Sequence, residues 1–323
     1  MKVLITGAAG FVAGHLIEFL RQEDPELEIY GIARPHGAPA QVPGRVTIIE
    51  ADLLDAAGIE AAVTMAQPDR IVHLAAQSSP HKSWYEAEAT LRTNVIGALN
   101  VLESARRCRT PPRVLLVGSS EEYGLVQPSE IPLREDTPLR PNSPYAVSKI
   151  SQGYLGLQYA LVHRVPVIRT RTFHHTGPGR GEIFAESSFA RQIVEIELGR
   201  RDPVLAVGNL DAVRDFSDVR DVVRAYWALL DRGESGEVYN VCTGRGRRIR
   251  DLLEMLVKLA GTRVDVRVDE SRLRPSDIPV LVGDPTRLQK ATGWEPRIAL
   301  ERTLKDLLFD WRDRLGNEGP RPA

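Results

Sequence analysis

The chain has 323 residues, of which 42% are hydrophobic and 26% charged, as in an ordinary globular protein. Its 42 lysines and arginines nearly cancel its 43 aspartates and glutamates, so net charge gives no argument for nucleic acid or an anionic membrane as a partner. No apolar run approaches the roughly 20 residues that span a bilayer, and Cys108 and Cys242 are too few and too separated for a disulfide framework or a zinc site.

The opening MKVLITGAAG enters a strand pattern at once and leaves no room for a signal peptide. The cytoplasm is therefore the expected compartment, and no metal is expected. KVLIT (2–6) reads as the first strand, and TGAAGFVAGHL follows it directly into a helix over 11–23. Gly7 and Gly10, with Ala13 at the third small position, allow a tight turn and close approach of backbone N–H groups to a pyrophosphate. Phe11 and Val12 belong to the same turn. Small residues there would equally serve helix–strand packing, but strand, turn and helix in this order are the setting that dinucleotide binding requires.

EIYGIA (28–33) is the second strand. An acidic residue at its end would hold the ribose 2′-hydroxyl of NAD, but Ala33 stands there and Arg34 follows. A guanidinium suits a 2′-phosphate, so NADP is the expected cofactor, with NAD as the alternative. A chance surface arginine is the plainer reading of Arg34. RVTIIE (45–50) is the third strand, and Asp52 after it would accept from the adenine amino group or cap a helix. RIVHLA (70–75) is the fourth. Leu53, after the third strand, and Leu74, Ala75 and Ala76, at the end of the fourth, complete the cofactor-binding set.

TNVIGALNVLESARR (93–107) reads as a helix, RVLLVG (113–118) as the fifth strand and VPVIRT (165–170) as the sixth. Several strands are nearly continuous in apolar residues, as strands buried on both faces are. Strands alternating with helices predict an α/β fold with a doubly wound parallel sheet. From about residue 171 the regularity weakens. HHTGPGRGE (174–182) and RLRPSDIPVLVGDP (272–285) read as loops, and 214–230 and 250–261 as helical. A smaller C-terminal α/β lobe that binds the substrate is expected over 171–323, beside a cofactor domain over 1–170 with a return segment near 210–242.

SPYAVSKIS (143–151) starts a helix, with Ser143 as N-cap and Pro144 at the first position. Tyr145 and Lys149 then share one face, a turn apart. Beside a nicotinamide, a tyrosine can protonate a carbonyl or deprotonate an alcohol once its pKa is brought down from about 10, and a neighbouring Lys149 ammonium favours the phenolate. Lys149 would also hold the nicotinamide ribose. A hydroxyl fixing the substrate oxygen is expected from VGSSEEYG after the fifth strand, with Ser119 first and Ser120 second.

TGAAGFVAG, HLAAQSS, TNVIGALNVLE, GSSEEYG, PYAVSK, HHTGPG, VRDFSDVRD and NVCTGRG together resemble the extended short-chain dehydrogenase/reductases, over essentially the whole chain. VGNLDAVRDFSDVRDVVRAYW, YNVCTGRG and RPSDIPVLVGD carry a narrower resemblance to GDP-4-keto-6-deoxy-D-mannose reductases and the related GDP-mannose 4,6-dehydratases. The resemblance implies a Rossmann sheet, a GDP-sugar substrate, and catalysis by Ser119, Tyr145 and Lys149. It places Thr93 and Asn94 along the cleft, and Arg214 and Arg274 on the nucleotide diphosphate, although either arginine could pair instead with Asp215 or Asp277. Glu121 falls where the dehydratases carry a proton-shuttling glutamate, and the reductases can carry one too. A solvent-facing carboxylate is the bland alternative. The family reads R-P-F-N at the sixth strand's end, but this chain reads RTFHH, so His174 stands in for an asparagine that touches substrate, with a contact made pH-sensitive.

The resemblance therefore implies NADPH-dependent reduction of the C4 ketone of GDP-4-keto-6-deoxy-D-mannose to GDP-D-rhamnose. The alternatives are a GDP-mannose 4,6-dehydratase, the epimeric GDP-6-deoxy-D-talose product, and a nucleotide-binding protein without catalysis. It also implies a homodimer packed through the helices around 94–107 and 145–162.

Overall fold

The computed structural model describes residues 1–34, 45–273 and 278–317. In chain order the first half runs β1 (Lys2–Thr6), α1 (Phe11–Glu23), β2 (Glu28–Ala33), β3 (Thr47–Glu50), α2 (Ala56–Ala66), β4 (Arg70–His73), α3 (Pro80–Ser83) and α4 (Ala87–Leu91). It continues with α5 (Gly97–Arg107), β5 (Arg113–Ser119), α6 (Pro144–His163) and β6 (Val167–Thr172). The second half begins with β7 (His174–Thr176), α7 (Ala185–Glu197), β8 (Val204–Val207), β9 (Val213–Asp218), α8 (Val219–Arg232) and β10 (Val238–Val241). It ends with β11 (Gly246–Arg248), α9 (Ile249–Ala260), β12 (Asp265–Val268), β13 (Val280–Leu281), α10 (Thr286–Thr292) and α11 (Leu300–Asn317).

Seven parallel strands form one sheet in the order β10-β6-β5-β4-β1-β2-β3. The winding reverses between β1 and β4, and the crevice at the carboxyl ends of such strands is where an open α/β sheet binds ligands. Val3, Leu4, Ile5, Val114 and Leu115 are sealed from solvent because helices cover both faces. α1 and α8 pack on one face, and α2, α5 and α6 on the other. β10 returns the chain to the sheet from beyond residue 171, pairing with β6 from Val238 beside Arg169 to Val241 beside Thr172.

A second core joins α7, α9 and α11 around Phe189, Leu252, Leu304 and Trp311. Around it lie a small sheet of β11, β9 and β13, with β7 beside β9, and the two-stranded pair of β12 and β8.

Five expectations need correction. The stretch 214–230 is not one helix: Val213–Asp218 is a strand, and Asp218 then caps α8 by accepting from Arg220 N at 2.8 Å. The segment 272–285 is not all loop, since Val280–Leu281 pairs with β9, and His174–Thr176 in the first predicted loop does so too. The sixth strand sits two residues later than predicted. Its arginines belong in the sheet because their heads are paired: Arg169 Nη2 donates to Gly236 O at 2.7 Å, and Arg171 Nε to Glu122 Oε2 at 3.1 Å. The helix over 93–107 opens as a π-helix at Arg92–Ile96, where the Asn94 side chain is held by neighbouring segments.

Among the described residues, no helix is long and apolar enough to cross a membrane, and no group of three or more His, Cys, Asp or Glu side chains could hold a metal ion.

Candidate active site

Gly7, just past β1, has φ +71°, and a Cβ there would lie 2.9 Å from the Ala75 Cα. Only glycine fits. Gly7 N and Ala8 N both donate to Ile32 O (2.9 and 3.1 Å), which ties the turn to β2, while Ala75 N donates to Thr6 Oγ1 at 3.2 Å. The turns after β1 and β4 therefore pack together at the reversal point. Gly10 caps α1 without a side-chain hydrogen bond, so the first-turn N–H groups of Phe11, Val12 and Ala13 form a bare positive helix end. That donor set fits a pyrophosphate.

Leu74, Ala75 and Ala76 are half-buried along the β4 exit. Leu53 is buried against Gly97, and Asp52 is exposed, its Oδ1 accepting from Leu54 N at 2.8 Å. Arg34 is exposed at the end of β2.

β5 delivers Ser119 to the sheet's carboxyl edge. Its Oγ accepts from Glu121 N at 3.2 Å and its N donates to Glu122 Oε1 at 2.9 Å, so the serine both ends the strand and caps the short 3₁₀ turn Ser120–Tyr123. Ser120 and Glu121 are buried in that turn. Ser143 caps α6 by accepting from Ala146 N at 3.1 Å, with Pro144 at the first position, and this sets Tyr145 and Lys149 facing the sheet. Both are buried. Lys149 Nζ donates to Val117 O (2.9 Å) and Gln152 Oε1 (3.1 Å).

Burial lowers the Lys149 pKa to about 8, with the Glu122 charge opposing. Tyr145 runs against expectation. Burial pushes its hydroxyl above the ordinary value; a hydrogen bond with Ser119 opposes this, Glu121 and Glu122 add to it, and Arg180 also opposes. The favourable cation is thus Arg180, while Lys149 is engaged by Val117 and Gln152.

Arg180 escaped the sequence reading because it lies in an irregular Gly/Pro loop with no spacing signal. Its guanidinium lies 5.0 Å from the Phe11 ring and 3.3 Å from the Phe184 ring, and its Nε is 3.7 Å from Glu186 Oε1. Phe11 also stacks on His175 with centroids 6.3 Å apart, linking the phosphate turn to β7. His175 is held neutral, its pKa lowered to about 4 by burial and by Arg180.

Asn94 is buried: its Oδ1 accepts from Gln77 N (2.8 Å), and its Nδ2 donates to Ser148 Oγ (2.9 Å) and Gln77 O (3.1 Å). It braces α6 from the side, with half-buried Thr93 next to it. His174 is half-buried, its ring 5.6 Å from that of Phe216. Arg214 is buried on β9, and its Nη1 donates to Val213 O at 3.0 Å. Asp215 does not pair with it. That carboxylate accepts from Thr243 N (2.9 Å), Thr243 Oγ1 (2.6 Å) and Gly244 N (2.9 Å), pinning the loop before β11. Arg274 and Asp277 lie outside the described residues.

A cleft of about 630 Å³ lies elsewhere, beyond β10, among Glu135, Glu237, Tyr239, Asp284 and Arg287. It shares no residue with the Ser119–Tyr145–Lys149 cluster, so chemistry and not volume identifies the site.

The model of the family described as GDP-mannose 4,6 dehydratase matches residues 4–307. Among curated relatives, a GDP-6-deoxy-D-mannose reductase of Pseudomonas aeruginosa is 34% identical over 98% of this chain and 99% of its own. A GDP-mannose 4,6-dehydratase of Yersinia enterocolitica is 30% identical over 95% of this chain and 92% of its own. Among solved structures, RMD from Pseudomonas aeruginosa, complexed with NADPH, superposes with a TM-score of 0.85 at 33% identity, covering 97% of this chain and all of that one.

Proposed function

This chain belongs to the GDP-mannose 4,6 dehydratase family, and from that premise we propose that it reduces the C4 ketone of GDP-4-keto-6-deoxy-D-mannose to GDP-D-rhamnose with NADPH. The observation that carries the proposal is the buried Ser119–Tyr145–Lys149 cluster at the sheet's reversal edge, in a chain that matches a GDP-6-deoxy-D-mannose reductase almost end to end.

The bare helix end at Phe11–Ala13 would hold the cofactor's pyrophosphate, and Arg34 its 2′-phosphate. When bound, NADPH supplies the hydride. Tyr145 holds its proton well above neutral pH and gives it to the carbonyl oxygen, with Ser119 orienting that oxygen. Arg180 stabilises the tyrosinate that results, and Lys149, charged below about pH 8, would hold the nicotinamide ribose. Arg214 and Arg274 are proposed to grip the diphosphate. Cofactor and sugar would meet between a cofactor domain over 1–170 and a substrate lobe over 171–323.

A second reading, a GDP-mannose 4,6-dehydratase, is favoured by Glu121, which is buried and whose charge reaches the Tyr145 hydroxyl. Assays with two substrates separate the readings. NADPH loss with the 4-keto sugar supports the reductase, and keto-sugar formation from GDP-mannose with NADP supports the dehydratase.

A homodimer through α5 and α6 is supported by Val147, Tyr154 and Leu161, which recur every seven residues on α6 and are 42%, 57% and 72% exposed. Ile96, 42% exposed, extends the stripe toward α5. Sedimentation of the wild type against Leu161→Glu tests it. A reaction using NADPH and a nucleotide sugar is expected in the cytoplasm.

A further inference from the structure

Beneath the site lies a charged pair that the mechanism above does not use. Glu122 and Arg171 are both buried, and both come from segments that end at the reactive edge of the sheet. Neither charge is exposed enough to be solvated, and a buried pair of this kind adds little net stability against an apolar replacement. Its partners show what it does instead.

Glu122 divides its two oxygens. Oε1 accepts from Ser119 N at 2.9 Å, and Oε2 from Arg171 Nε at 3.1 Å. Arg171 is anchored in turn. Its Nη1 donates to Glu135 O at 2.9 Å and, at 3.3 Å, to Tyr123 Oη, and its guanidinium lies 4.9 Å from the Tyr123 ring. Tyr123 Oη donates to Asn240 Oδ1 at 2.6 Å, so the anchor spans β5, β6 and β10. The last residue of β5, the one that bears the Ser119 hydroxyl, is therefore fixed through a carboxylate whose other end is bolted to two neighbouring strands.

The same carboxylate and Lys149 are bonded to one strand end, Oε1 at Ser119 N and Nζ at Val117 O, and the carboxylate's charge favours the ammonium. Two titratable groups from other elements act on that lysine, His73 from β4 and Glu122 from the turn after β5; Arg171 on β6 pairs with Glu122, and Tyr145 shares the lysine's own helix. His73 is held neutral by burial and by Lys149, with a pKa lowered to about 3. Gln152 contributes only a neutral amide oxygen. Among the described residues, Glu122 supplies the negative charge that favours the ammonium, which burial otherwise disfavours.

We propose that the Glu122–Arg171 pair is a positioning device for the triad: Glu122 fixes the strand end to which Ser119 and Lys149 are both bonded, and supplies a counter-charge to Lys149. The role in turnover rests on the reductase reading above, but the charge relation can be measured without turnover.

The chain has six lysines, so protein labelled with ¹³C at lysine Cε gives a countable NMR spectrum in which Lys149→Arg assigns the Lys149 signal. The expected wild-type ionisation midpoint is near pH 8. In Glu122→Gln, which keeps an acceptor for Ser119 N but loses the charge, the midpoint moves to lower pH. An unmoved midpoint in folded Glu122→Gln overturns the proposal, whether or not the wild type proves to be a reductase. With the 4-keto sugar and NADPH, the alkaline limb of kcat/KM is expected to follow the Glu122→Gln midpoint downward. At pH 8 kcat/KM should fall on the order of tenfold, short of the roughly 10²-fold or greater loss from removing a proton-transfer group.

Discussion

Replacing Lys149 with methionine is predicted to stabilise the protein at neutral pH while abolishing its activity. The unfolded chain holds the lysine proton up to about pH 10.5, and the folded protein only up to about 8, because burial penalises the ammonium. Folding therefore carries its full penalty below pH 8 and sheds it as the pH rises toward 10.5. At pH 7 the penalty is about 3 kcal/mol, and by pH 9.5 about 2 kcal/mol of it is gone. Methionine removes the charge but also the hydrogen bonds to Val117 O and Gln152 Oε1, each worth about 1 kcal/mol. Gln152 Nε2 still donates to Val117 O at 3.1 Å, so that carbonyl stays satisfied. A net gain of about 1–2 kcal/mol remains at pH 7. Urea denaturation of both proteins from pH 7 to 9.5 reads the effect: the advantage of Lys149→Met should shrink by about 2 kcal/mol across that range. A stability difference that stays constant with pH would refute the reasoning, since it would mean that Lys149 carries no ionisation penalty in the fold.

Tyr145→Phe removes the proton donor and leaves the packing, so turnover should fall by about 10²- to 10⁴-fold while NADPH binding, followed by fluorescence titration, stays within about twofold. Gly7→Ala forces a side chain into a left-handed conformation at a cost of about 1–2 kcal/mol, and its Cβ would meet the Ala75 backbone. NADPH affinity, read by calorimetry, should fall on the order of tenfold or more. Asp215→Ala strips the acceptor from Thr243 N, Thr243 Oγ1 and Gly244 N, so urea unfolding should show a loss on the order of 3 kcal/mol.

Features with a local period were legible in the sequence. Gly7 and Gly10 after an apolar strand, Ser143–Pro144 before Tyr145 and Lys149, and Ser119 at a strand end are short-range patterns, and the structure builds a turn, a helix start and a strand end from them. Elements defined by distant partners were not legible. Val213–Asp218 alternates charge and apolar residues closely enough to continue the pattern of α8, and only its pairing with β7, β11 and β13 makes it a strand. Arg171 lies just past the strand predicted over 165–170, and the structure seats it inside β6 because Glu122, distant in the chain, pairs with it. The Tyr145 environment failed for the same reason. Spacing put Lys149 on the same face, but the ammonium is drawn onto Val117 O and Gln152, and the charge that helps the tyrosine comes from Arg180 in an irregular loop.

The central claim is that hydride goes to C4 of a GDP-4-keto-6-deoxy sugar. It is tested most directly by incubating the protein with GDP-4-keto-6-deoxy-D-mannose and NADPH deuterated at the transferred position, then locating the label in the product by NMR. The account predicts one deuterium at C4 of GDP-D-rhamnose for each NADPH consumed. A product without deuterium at C4, or unconsumed NADPH beside keto sugar formed from GDP-mannose and NADP, would contradict it.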